Sequence, residues 1–162
     1  MSNEGQPNVA LGTSGEPVRR LQRALRRVPR PEVVVDGRFG PATQAAVRAV
    51  QEDAGLAADG IVGPATWAAL PDGTAMPRLQ AGESGTDVRD LQRVLTDEAP
   101  GRWEVTPQGV DARFGPRTRA SVEAFQTWGG VTADGVVADR TWTVPLPDGR
   151  DLEVHVGLRP GG

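Results

Sequence analysis

The chain has 162 residues, with 18 basic against 21 acidic side chains, a formal net charge of −3, no cysteine, no tyrosine and one histidine. Without cysteine there are no disulfides, thiolate nucleophiles or thiolate-held metals, and a lone histidine, His155, supplies neither a multi-histidine zinc site nor much material for a Ser-His-Asp triad. All the basic residues are arginine, the acidic excess argues against a nucleic-acid binder, and no apolar run approaches the roughly 18 residues that span a bilayer.

In chain order, the head 1–8 is polar and lacks an apolar core of signal-peptide type. Val18, Leu21 and Leu25 then mark one face of a helix that Pro29 and Pro31 end. Its arginines Arg19, Arg20, Arg23, Arg26 and Arg27 fall on the opposite face, within an arc of about 120°. They read as a solvated face or as a contact for an anionic surface. Gly40-Pro41 opens a second helix along Thr43, Ala46, Val47 and Val50, and Gly55 stops it. Asp59-Gly60 is a turn, followed by Gly63-Pro64 and a short third helix with Trp67.

The same order then repeats. Val18-Arg-Arg-Leu-Gln-Arg-Ala-Leu25 returns 70 residues later as Val88-Arg-Asp-Leu-Gln-Arg-Val-Leu95. From Val35 onward the shift is 75, and 18 of the 33 positions from 35 to 67 match their partners. A five-residue insertion therefore lies between Leu95 and Val110. The expected architecture is mainly α: two tandem copies of a compact three-helix domain, at 9–70 and 78–146, with a linker at 71–77. In the tail 147–162, Leu152, Val154, Val156 and Leu158 alternate with polar residues and with Gly157, which predicts a strand.

The string Val-x-x-Leu-Gln-x-x-Leu, Val-Asp-Gly-x-Phe-Gly-Pro-x-Thr, then Asp-Gly-Ile-Val-Gly-Pro-x-Thr-Trp resembles the peptidoglycan-binding domain appended to bacterial cell-wall hydrolases. The resemblance covers both copies. It implies a three-helix, non-catalytic module that targets a separate amidase or zinc carboxypeptidase domain to the wall. Copy two departs from the pattern: Ala112 stands for the turn glycine, and Ala138-Asp139 for Gly-Pro. These departures put ligand binding by copy two in question.

Candidate ligand contacts cluster at the turns. Asp36, Gly37, Arg38, Asp59, Gly60 and Ile61 form the set in copy one, with Arg113 and Asp134 in copy two. Recurrent carboxylates admit a glycosidase reading, but Asp at a turn more simply caps its own backbone while Gly supplies positive φ. Arg38 offers donors for a muropeptide carboxylate. Trp103, in the insertion, and Trp128 have no aromatic counterpart in copy one, and read as an exposed platform for a sugar ring or protein, or as packing between the copies. The implied partner is peptidoglycan, with no cofactor, metal, nucleic acid or membrane. The alternative is an adaptor, as in a phage-like lysis or injection particle, docking a protein through Trp103, Trp128 or the tail. With no leader of signal type, cytoplasmic synthesis and non-classical or particle-borne delivery to the wall are expected.

Overall fold

A computed structural model describes residues 3–28 and 32–157. The first two residues of the head, the helix-stopping Pro29 and Pro31, and Leu158 with the rest of the tail lie outside the described residues. The chain divides into two units, one up to Ala75 and the other from Met76.

In the first unit, α1 (Glu16–Arg26), α2 (Pro41–Asp53) and α3 (Pro64–Ala69) appear where the repeat places them. All three start behind a glycine and with a proline in the first turn, where a missing N–H costs nothing. Val18, Leu21 and Leu25 of α1 meet Val47 and Val50 of α2, Phe39 of the intervening turn and Trp67 of α3 in one buried cluster. The Trp67 indole N–H donates to the Pro7 carbonyl at 3.0 Å, tying the head to α3. Isolated antiparallel bridges, Val9 with Val62 and Ser14 with Arg38, close the loops.

Apart from the exposed Arg19, the arginine face of α1 is engaged within the unit. Arg23 and Arg26 are buried, at 3% and 8% exposure. Arg23 donates to the Gly73 carbonyl at 2.7 Å, and Arg27 to the carbonyls of Asp72 and Thr74, both at 2.8 Å. Arg20 reaches Asn3, Asp72 and Thr74, while Arg26 bonds the Val33 carbonyl. Residues 71–74, expected as linker, are thus strapped along α1. Gly73 lies so close to the Arg20 backbone that an added Cβ would sit 2.1 Å from its carbonyl oxygen. Five donors per guanidinium let arginine satisfy several carbonyls of a segment without secondary structure.

The second unit repeats the plan with α4 (Thr86–Asp97), α5 (Pro116–Trp128) and α6 (Asp139–Trp142). Trp142 donates to the Pro77 carbonyl at 2.9 Å, as Trp67 does to Pro7. Here the exit segment differs. The predicted strand is a short helix, α7 (Leu152–Val156), and only Asp151 pairs in a bridge, with Pro145. Leu152 and Val156, spaced i, i+4, are buried with Val88, Leu91 and Leu95 of α4 in one cluster. Gly157, at φ 119°, ends the turn. His155 sits on this helix, with Nε2 3.0 Å from Asp148 Oδ1.

Trp103 is not an exposed platform. It is 5% exposed, and its indole N–H donates to the Leu95 carbonyl at 3.0 Å. Its ring stands edge-on to Phe125 and Trp128, with centroids 5.0 and 5.3 Å apart. Phe125 replaces Val50 and Trp128 replaces Asp53 of the first copy. The insertion thus brings Trp103 into an aromatic cluster within the second unit's own core, and Trp128 is left half-buried beside it.

Candidate ligand site at the Asp-Gly turns

Each turn is built on a buried glutamine. Gln22, near the middle of α1, places its Nε2 at 2.9 Å from Asp36 Oδ1, 2.9 Å from the Arg38 carbonyl and 3.2 Å from Thr43 Oγ1. Its Oε1 accepts the backbone N–H groups of Asp36 and Gly37 at 3.0 and 2.9 Å. Gln51, in the last turn of α2, repeats the arrangement with Asp59, the Ile61 carbonyl, Thr66 and the Gly60 N–H. Gln92 does so with Asp111, Arg113 and Thr118, and Gln126 with Asp134, Val136 and Thr141. All four glutamines are at most 1% exposed. The side chain carries both a donor and an acceptor group, so one buried amide satisfies turn, carboxylate and helix start together.

The four aspartates close Asx turns. Oδ1 accepts the backbone N–H two residues on, from Arg38, Ile61, Arg113 and Val136, at 2.9–3.0 Å. Gly37, Gly60 and Gly135 adopt φ of 74–76°, and Ala112 takes the same left-handed region at 64°. The carboxyls are held below their ordinary range. At Asp59 and Asp134 the backbone N–H is the largest cause, and at Asp111 it is the Gln92 amide. At Asp36 partial burial acts in the opposite direction, and the Arg38 N–H and Gln22 amide outweigh it. A glycosidase general acid needs a carboxyl held protonated by a raised pKa. These four are held in the opposite state, each with one oxygen already taken.

The expected contact residues fall at separate turns: Asp36, Gly37 and Arg38 between α1 and α2, and Asp59, Gly60 and Ile61 between α2 and α3. Arg38 and Arg113 are exposed, Gly37 and Gly60 are buried, and Ile61 is 48% exposed. Beside Asp59 lies a groove of about 340 Å³, lined by Leu56, Ala57, Ile61 and Pro64 over Gln51 and Thr66. Beside Asp111 lies one of about 300 Å³, between Pro107–Gly109 of the insertion and the start of α5. A larger cleft of about 580 Å³, between Asn3–Gln6 and α3, contains none of the expected contact residues. The turn grooves are the better candidates, because there exposed side chains stand on a rigid, fully bonded backbone.

The glutamines and threonines stand in the motif string as Leu-Gln and Pro-x-Thr but are not among the expected contact residues. The signal was present: Asp to Thr is seven residues at 36–43, 59–66, 111–118 and 134–141, each after a helix that carries a glutamine. Each copy is thus itself two turns of one pattern.

Known proteins carry the same unit. Residues 14–70 and 84–144 match the family described as "Putative peptidoglycan binding domain", and the chain belongs to that family. It is 31% identical over 154 residues to the N-acetylmuramoyl-L-alanine amidase CwlL of Bacillus licheniformis, a match covering 80% of this chain and 42% of that protein. It is 53% identical over 61 residues to the zinc D-Ala-D-Ala carboxypeptidase of Streptomyces albus G, covering 36% of this chain and 24% of the relative. Among solved structures, the SleB N-terminal domain matches at 39% identity and a TM-score of 0.37, over 38% of this chain and 85% of that one. The chain therefore spans less than half the length of these two curated relatives. Among the described residues, no helix is long and apolar enough to cross a membrane.

Proposed function

We propose that this chain binds the stem peptide and neighbouring sugar of bacterial peptidoglycan without cleaving it, and so holds its bearer at the cell wall. The observation that carries the reading is the pair of grooves beside the Asx turns, at Asp59 and Asp111, in a chain of the peptidoglycan-binding family. Backbone bonds fix the turns, while Ile61, Arg38 and Arg113 stay exposed at their edges. Apolar contact at Ile61 and guanidinium donation from the arginines are what a peptide with carboxylates requires. A non-catalytic role is supported by the four turn carboxylates, each with one oxygen bonded in an Asx turn and held below its ordinary pKa. Two copies on one chain would raise avidity on a repeating polymer. Of the docking elements named for the adaptor alternative, Trp103, Leu152 and Val156 lie in the core, whereas Trp128 is half-buried.

Replacing Arg38 by alanine tests the arginine contact expected at the Asp36 turn, which lines neither groove. The side chain is exposed, so the domain should fold unchanged, and affinity for purified wall sacculi should fall about three- to tenfold. Unaltered affinity would remove Arg38 from the contact.

A further inference from the structure

The two turn grooves differ in chemistry. The groove at Asp59 is walled by Leu56, Ala57, Ile61 and Pro64 and has no arginine in its lining. The groove at Asp111 has two, Arg113 and Arg117. Its floor, Gln92 and Thr118, is already bonded, to each other and to the turn. One oxygen of Asp111 is taken by the Gln92 amide and the Arg113 N–H. Both guanidinium groups are exposed, and among the described residues neither makes an ion pair or side-chain hydrogen bond, although Arg113 lies within electrostatic reach of Asp111. Two arginines against one aspartate leave the cleft formally positive. Guanidinium groups donate and never accept, so the available ligand chemistry is that of an acceptor anion. A planar carboxylate fits an arginine fork with two parallel bonds. A cleft of about 300 Å³ has room for a peptide end.

We infer that the second unit's cleft reads a free carboxylate at the end of a short peptide through Arg113 and Arg117. This rests on the peptidoglycan reading above and deepens it. Two differences between the second copy and the first help build the cleft. The insertion supplies the wall Pro107–Gly109, and Arg117 stands where the first copy has Ala42. Copy two is then the charge-reading half of the module, while the groove at Asp59 offers apolar contact.

The test is a titration of the full chain with a short peptide ending in D-Ala-D-Ala, followed by backbone amide chemical shifts. The C-terminally amidated peptide and inorganic phosphate serve as separate arms, and sacculus binding is measured in parallel. The free acid should shift Gln108, Gly109, Arg113 and Arg117, and amidation should weaken binding at least tenfold. Arg117→Ala and Arg113→Ala should each weaken it about five- to tenfold, with thermal unfolding unchanged because both side chains are exposed. Equal binding of acid and amide would overturn the carboxylate assignment even where sacculi are bound. Displacement by phosphate at concentrations comparable to the peptide would also overturn it, in favour of a general anion site. A preference for the acid in a chain that ignores sacculi would leave the carboxylate site standing and remove the wall reading instead.

Discussion

At the residue scale, the turn position after each aspartate sets a conformational demand that one of the four copies meets poorly. Gly37, Gly60 and Gly135 take positive φ without a Cβ, whereas Ala112 holds the same conformation at 64° with one. A non-glycine residue there costs on the order of 1 kcal/mol. Ala112→Gly should therefore stabilise the second unit by about 0.5–1 kcal/mol, measured as a rise in the urea midpoint. The aspartates beside these positions make stability depend on pH. Their folded pKa values lie below the ordinary 3.8, so their stabilisation is fully present above that value and is lost as pH falls through the lower, folded values. Urea midpoints should stay level in their carboxylate contribution from pH 7 to about 5 and drop below about pH 4. A level midpoint down to pH 3 would contradict the bonded-carboxylate account. The aspartates and glycines were readable as turns because Asp-Gly is a local signal. The repeat that contains Gln22, Gln51, Gln92 and Gln126 is also visible in the sequence, but a glutamine eight to nineteen residues away shows what it bonds only through tertiary placement.

At the scale of elements, the helices of both copies were legible from spacing and from the Gly-Pro starts. The two exit segments were not. Leu152, Val154 and Val156 alternate as a strand would, yet Leu152 and Val156 also stand one helical turn apart, and five residues cannot decide between the periods. Burial decides: α7 covers α4, and Leu152 is fully buried. Leu152→Ala should cost about 2–5 kcal/mol of unfolding free energy, as a core truncation does, whereas an exposed tail would lose almost nothing. In the first unit, residues 72–74 are bonded instead to Arg20, Arg23 and Arg27. The change follows from sequence: Arg20 of α1 corresponds to Asp90 of α4, and Arg27 to Asp97. Arg19 and Arg23 persist as Arg89 and Arg93, and in the second unit the short helix α7 packs against α4. An arginine-rich helix face read without its neighbours looks solvated, because the carbonyls it serves are some fifty residues away.

For the whole molecule, one turn-and-glutamine pattern occurs four times, twice in each unit, and the second unit has diverged in its insertion, its aromatic core and its charge. Thr74 is bonded within the first unit and Met76 is buried in the second, so Ala75 is the junction between them. The long motif string made the family legible, whereas the allocation of contacts to individual residues depended on which side chains the fold buries. Trp103 shows the difference: the sequence gives an unmatched aromatic in a loop, and only packing against Phe125 and Trp128 tells that it serves the core. The function proposed for the chain is to bind peptidoglycan without turning it over. The most direct measurement is co-sedimentation of the purified protein with insoluble sacculi at low and moderate salt, with the supernatant assayed for released sugar or peptide. Binding should be saturable and survive moderate salt, with no release above the protein-free control. Release that grows with time, or binding that vanishes at moderate salt, would contradict the proposed function.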